Sequence, residues 1–502
     1  MPGARIGCSR TGHALGATLY TMPRLGGQSI KLRSSLTGIQ AQMADILHWP
    51  ENIGVEFRPL SLPTQPVTEL LAVFLPGLAD EALVRACVIE PVVNLDIGTI
   101  GNQRVTTDIL LRRLPAPGLS EADDLSLAVK GVLEGATALF LDGARSAILV
   151  RTVDPGPSDR VRAALTQQAR FETGMLENVI LLRRRLRDPA LVARRIALPG
   201  RRASAAAIVY MEGRASRDLL KQVEAFLQAH AGEETFRRGF AAGLRGKWGL
   251  LPVLTSTQWP DKVAVLLDAG YVAILADGVS QAFVAPVTAN AILYSPQDVT
   301  LMRPIAKSLR LFRAALAVTA VTAGASIVAL MNYHQEMMPT PFLFAMAATR
   351  EQAPFPIALE VLLLEVIQEL IREAAFEWPL RLSPGHVLVA GQLLLLLLAQ
   401  AGLVGTGPAA ISTVIMFSTY GFFGVELIYL LRPWRFLLLV GAVVFGFFGI
   451  AAVFFGLALH LMTAESFGVP FFGESGLSFA AADRMSARRK GGELPADPTE
   501  IR

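Results

Sequence analysis

The spacing of apolar residues changes character along the chain. Between residue 46 and about residue 300, short apolar runs alternate with turns and amphipathic stretches, the rhythm of strands and helices in a soluble α/β fold. From 314 to 462 the runs lengthen. Residues 314–331, 385–404, 409–431 and 436–462 are each close to the roughly 20 apolar residues that cross a bilayer. Residues 1–45, rich in Gly, Ser and Arg, carry no such period and predict a flexible N-terminal arm.

Within the soluble half the pattern repeats. "AVFLPGLADEALVRACV" (72–88) resembles "AIVYMEGRASRDLLKQV" (207–223): a strand, a turn at Gly77 or Gly213, then an amphipathic helix. "LFLDGARSAILV" (139–150) likewise resembles "AILADGVSQAFVAP" (273–286). Each holds an Asp-Gly pair between apolar strands, a hairpin signal for a type I′ turn. The offsets are 136 positions for Gly77 to Gly213 and 135 for Gly143 to Gly278. Two α/β subdomains of like plan follow, over 46–165 and 166–300. Between the repeats, "FETGMLENVILLRRRLRDPALVARRIALPG" (171–200) starts as a helix with Arg183, Arg184, Arg185 and Arg187 at its far end. Cations there complement the helix dipole. They predict either a solvated basic face or an anchor onto acidic headgroups or a neighbouring subunit.

Composition sharpens the division. Of 502 residues 52% are hydrophobic and only 18% charged, too apolar for a soluble chain of this size. The net charge of +4 does not imply nucleic acid. The basic residues cluster beside the long runs, at Arg303, Lys307, Arg310, Arg313, Arg432 and Arg435, as membrane-flanking charge does. They place the first 300 residues in the cytoplasm. Two cysteines, Cys8 and Cys87, make no disulfide framework, and the N-terminal stretch, with Arg5 and Arg10 but no apolar h-region, does not read as a cleaved signal peptide. If the acidic helix over 357–375 crosses, the polar C-terminal tail (466–502) lies outside, against the preference of Arg484, Arg488, Arg489 and Lys490. A re-entrant 342–375 or 436–462 returns it to the cytoplasm. The glycines at 441, 446, 449 and 456 permit close helix packing or a break.

The stretch "LEVLLLEVIQELIREAAFEWPL" (359–380) carries charge inside an apolar pattern. With Glu360 at zero and about 100° per residue, Gln368 falls near 80°, Arg372 near 120°, Glu365 near 140°, Glu369 near 180° and Glu373 near 220°. These five share a stripe. A charge facing lipid at mid-bilayer costs roughly 2.5–3.5 kcal/mol, so the stripe faces water, protein or a partner charge. Arg372 reaches Glu369 and Gln368 along the helix. Four readings stay open: a helix lying in the interface, an internal polar seam, a surface helix, or a water-lined path whose carboxylates attract cations. The last requires several subunits or helices.

Enzyme signatures are lacking. There is no P-loop, no His-Glu-x-x-His and no Gly-x-Ser-x-Gly; "GTGPAA" (405–410) joins two spanning helices and fails the strand-to-helix context of a dinucleotide site. The six histidines are scattered. No enzyme activity, metal or cofactor is expected.

Five stretches in order resemble the A subunits of GerA-type spore germinant receptors, over about residues 70–475. They are "LENVILLRRRL" through Asn178, Arg183 and Arg185; "TQWPDKVAVLLDAGYVAILADG" through Pro260, Asp261, Asp277 and Gly278; "EVIQELIREA" (365–374); "GQLLLLLLAQAGLV" through Gly391 and Gln392; and "SFGVPFF" (466–472). The chain departs from the family at Gln258 and Trp259, where Glu-Arg is usual, and at "AAFEWP" after Glu373. The resemblance implies a multi-pass protein of the spore inner membrane with a two-part cytoplasmic domain. It further implies a homo-oligomer, a pentamer, working with a transporter-like B subunit and a lipoprotein C subunit as a nutrient-gated channel for monovalent cations. The reading is an α/β soluble region of two similar subdomains, then an α-helical multi-pass transmembrane domain (301–465). Glu365, Gln368, Glu369, Arg372 and Glu373 line its pore. The alternative is a non-conducting membrane scaffold or accessory germination protein.

Overall fold

The fold is taken from a computed structural model. It describes residues 32–33, 35–62, 67–94, 105–116, 118–153, 170–197, 205–229, 254–295, 298, 301–350, 353–377, 384–420 and 425–472. The side chains of 372–377 and 425–431 lie outside that description. The arm up to residue 31 and the tail beyond 472 also lie outside it, as does Cys8.

Two compact units form. The first holds two five-stranded sheets. In one, β1 (Glu56–Leu62), β2 (Thr68–Phe74), β3 (Ser120–Ala122), β4 (Thr137–Leu141) and β5 (Ala147–Val150) run in the order β1-β2-β4-β5-β3. In the other, β6 (Leu191–Ala197), β7 (Ala205–Met211), β8 (Thr255–Thr257), β9 (Val272–Ala276) and β10 (Ala282–Ala285) run β6-β7-β9-β10-β8. The two orders are the same once each sheet is counted from its first strand.

The unbroken apolar runs of β2, β4 and β5 have a direct cause, since both faces of their sheet are covered. Helices α1 (Leu36–Ile46) and α2 (Leu125–Leu133) cover one face through Ile39, Met43, Val129 and Val132. Val88, Val92, Leu110 and Leu114 cover the other. Asp124 caps α2, its Oδ1 accepting from Ser126 N at 3.3 Å.

Both Asp-Gly hairpins form, with Phe140 opposite Ala147 and Leu275 opposite Ala282. Their turns are not type I′. Gly143 and Gly278 have φ of 79° and 80°, but among the described residues positive φ outside glycine is confined to His48, Arg187 and Phe467. Five residues join each pair of strands, so only the glycine needs the left-handed region.

The second unit is helical. Its members are α3 (Arg303–Tyr333), α4 (Thr340–Arg350), α5 (Ile357–Glu377), α6 (Pro384–Gln400), α7 (Thr406–Tyr420) and α8 (Val425–Thr463). Among the described residues, two helices are long and apolar enough to cross a membrane, Pro304–Tyr333 and Arg432–Thr463. The second is not one rod. Gly446 has φ 57° and ψ −135°, which breaks the helix. A Cβ on Gly441 or Gly449 would strike the carbonyl of the other. The Trp434 and His460 rings lie 5.7 Å apart. These contacts fold α8 into an antiparallel hairpin whose turn lies beside Tyr333 and His334. The run 436–462, for which the sequence left a single span, a re-entrant segment or a break at its glycines open, is two helical arms.

The charges flanking α3 are fastened as well. Asp298 accepts from Arg310 Nε at 2.9 Å and Arg313 Nη1 at 3.0 Å, and Arg313 also donates to Leu293 O at 2.6 Å.

Candidate functional site

Glu360, Glu365, Gln368 and Glu369 on α5 are 0, 4, 1 and 9% exposed. They turn into the helical unit, and three carboxylates meet arginines from other helices. Arg350 of α4 lies 3.1 Å from Glu360. Arg435 of α8 lies 3.6 Å from Glu365, and Arg432 of α8 lies 2.6 Å from Glu369. Glu360 Oε2 also accepts from the Gly405 backbone at 2.9 Å, which explains the glycine-rich "GTGPAA" turn without a nucleotide. Gln368 Nε2 donates to Ser412 O at 2.9 Å on α7.

A seam of alternating charge therefore runs through an apolar bundle, bordered by Val361 and Leu364 and by Leu438 and Leu439. Gly324 lets α3 approach it, since a Cβ there would lie 2.6 Å from Glu365 Oε1. Glu365 Oε2, Gln368 Oε1 and Arg435 Nε are among the seam atoms buried without a hydrogen-bond partner among the described residues. Such atoms call for water or a rearranged partner.

Four points add to the sequence expectation. The arginines that meet the stripe are Arg432 and Arg435 of α8, whereas the side chains of Arg372 and Glu373 lie outside the described residues. Within one chain Glu365, Gln368 and Glu369 face neighbouring helices rather than an open surface. Glu360, off the stripe by helical angle, is the most buried of the carboxylates. Arg432 and Arg435 do not simply flank a loop; helix-local spacing could not connect them to carboxylates more than sixty positions earlier.

In the two-sheet unit the motif residues form a frame. Arg183 on helix Met175–Leu186 is 4% exposed and donates to Asn52 Oδ1 at 2.6 Å and Gly54 O at 3.1 Å. Asn52, absent from the sequence reading, also receives Ala193 N at 3.0 Å and donates to Leu47 O at 2.9 Å. It thereby joins the two halves of the duplication. Arg184 donates to Gly77 O at 2.8 Å, and Arg185 pairs with Asp261. Arg183, Arg184 and Arg185 are thus tied into the fold, while Arg187 is exposed at the helix end and donates to Arg184 O at 3.3 Å. Burial holds the Arg183 guanidinium down to about 10, still charged at neutral pH.

The remaining motif residues are placed as follows. Asn178 brackets Glu172, donating to its carbonyl at 2.7 Å and accepting from its N–H at 2.8 Å. Asp277 accepts from Met175 N at 3.3 Å, capping that helix, and Gly278 N donates to Thr173 O at 2.8 Å. Pro260 opens helix Pro260–Asp268 in its first turn, where its missing N–H costs nothing. Trp259, one of the departures, lies under Arg170 at 5.3 Å. In the helical unit Gly391 admits Met416, and Gln392 Oε1 accepts from Thr413 Oγ1 at 3.0 Å, joining α6 to α7.

Comparison with known proteins agrees with the motif order. Residues 42–483 match the family described as Bacillus/Clostridium GerA spore germination protein. Spore germination protein KA of Bacillus subtilis is 26% identical over 426 residues, covering 83% of this chain and 78% of that protein. Spore germination protein GerLA of Bacillus cereus is 26% identical over 459 residues, covering 89% of this chain and 91% of that protein. The N-terminal domain of the A subunit of the Bacillus megaterium spore germinant receptor GerK3 aligns at 16% identity and a TM-score of 0.43, covering 52% of this chain and 97% of that one. With a family match over most of its length, the chain belongs to the GerA family of spore germination proteins.

Proposed function

We propose that the chain is the A subunit of a spore germinant receptor in the spore inner membrane. Copies of it assemble, as a pentamer, around a path for monovalent cations, in concert with a transporter-like B subunit and a lipoprotein C subunit. The observation that supports conduction is the buried seam itself. Three carboxylates inside an apolar helical bundle, each held by an arginine from another helix, are costly to bury and are the usual mark of an ion route. In the arrangement seen, the arginines neutralise the seam and the path is closed. Opening moves Arg432 and Arg435 off Glu369 and Glu365, leaving a net negative lining.

The fold also suits a multi-pass reading. α3, α5, α6, α7 and the two arms of α8 make six crossings. An even count returns the tail to the cytoplasmic side, where its arginines belong.

A second reading rests on the same burial. A seam only 1–9% exposed at Glu365, Gln368 and Glu369 also fits a dry packing contact in a non-conducting scaffold. Potassium flux from liposomes holding the full chain separates the two. Arg432→Gln should raise the leak by about ten-fold, the equivalent of ~1.4 kcal/mol in a closed-to-open equilibrium. Glu369→Ala in the same chain should abolish the gain. Flux at the level of protein-free liposomes in every variant would leave the scaffold.

A further inference from the structure

The stretch "SFGVPFF" enters the family resemblance but plays no part in the seam. It forms a two-stranded ribbon, Glu465–Ser466 against Val469–Pro470, turning through Phe467 and Gly468 at φ 50° and 71°. A phenylalanine at positive φ is strained and persists only where its surroundings hold it. They do so here. Ser466 Oγ accepts from Val287 N at 3.0 Å, and Ala289 N donates to Phe471 O at 2.9 Å. Phe471 is 7% exposed, among Val287, Ile292, Ala317 and Leu461. The ribbon is thus fastened to the residues that precede α3. That junction is tied to α3 as well, through Leu293 and Asp298 to Arg313.

From the ribbon a short route leads to the seam. His460 lies five positions before Glu465 and packs on Trp434, which sits between Arg432 and Arg435 in sequence. The two arms of α8 also touch backbone to backbone at Gly441 and Gly449. One arm cannot slide without carrying the other.

We propose that the 464–472 ribbon is a strap. It ties the arginine-bearing arm of α8 to the 287–298 junction, and movement of that junction draws Arg432 and Arg435 away from the carboxylates. This regulation rests on the cation-path reading, yet its test does not need conduction. The full chain, with Cys8→Ser and Cys87→Ala, carries Gln368→Cys as a reporter at a position 1% exposed. It is reconstituted in liposomes and treated with a cationic methanethiosulfonate. Loosening the strap with Phe471→Ala should speed labelling by about five-fold, as Arg435→Gln should. Ser466→Ala, which removes a single acceptor, should give a smaller rise in the same direction, and it decides the matter if Phe471→Ala fails to elute as a folded species.

Labelling at the unmodified rate in Ser466→Ala and in folded Phe471→Ala overturns the strap, whatever the flux. Faster labelling with no ion flux in any variant leaves the strap standing and removes conduction.

Discussion

Arg183 is a buried cation that donates to neutral oxygens, those of Asn52 and of the backbone around it. Its planar fork reaches several acceptors at once, which a lysine cannot do. Arg183→Lys should lower stability by about 2 kcal/mol, within the range for hydrogen bonds to a charged group, read as a lower melting temperature of the purified chain. Asn52→Ala should cost a similar amount, since it removes the oxygen that accepts from both Arg183 Nη2 and Ala193 N. The pH dependence has a definite sign. The folded value, about 10, lies below the ordinary arginine range, so the unfolded chain binds more protons between the two. Stability from this group therefore rises with pH across that window and is flat below it. The arginine run was visible in the sequence; its burial was not. A solvated basic helix end and a buried clasp share the same letters, and Asn52 lies some 130 positions away from Arg183.

At the scale of elements, period and turn chemistry carried far. The apolar strands around both Asp-Gly turns pair as hairpins, and the acidic stretch forms one continuous helix over Ile357–Glu377. What the pattern left open was the fold of 436–462. A hairpin with apolar arms has the same hydrophobic text as a single span, and Gly446 alone marks the reversal. Its φ and ψ lie in a region essentially closed to other residues. Gly446→Ala and Gly449→Leu should each break the hairpin and reduce the folded fraction on size exclusion. Gly456→Ala should behave as the unaltered chain, because a Cβ there meets nothing within 4 Å. Equal behaviour of all three would remove the hairpin from the account. Partners of the seam were hidden for a related reason: helix-local spacing finds neighbours three or four positions away, whereas Arg435 is 70 positions beyond Glu365.

For the whole molecule, the turn at Gly446 fixes the proposed topology. Single cysteines in the tail and at Leu127, which is exposed in the two-sheet unit, should be labelled from the same side of oriented vesicles. A cysteine at Phe448, 82% exposed beside the turn, should be labelled from the other. A tail reached from the side of Phe448 would reduce the crossings to an odd number. The order of the family motifs made membership readable, because it survives divergence. The partners of the acidic stripe were not readable, since they depend on which helices the three-dimensional fold brings together.

The central claim is that Arg435 closes the seam by neutralising Glu365, and a charge exchange tests it most directly. Potassium leak is measured from liposomes holding the full chain, for Arg435→Glu alone and for Arg435→Glu combined with Glu365→Arg. The account predicts that the single change leaks, through two adjacent buried carboxylates, and that restoring opposite charges returns the leak to the level of the unaltered chain. A single variant as tight as the unaltered chain, or a double variant no tighter than the single, contradicts it.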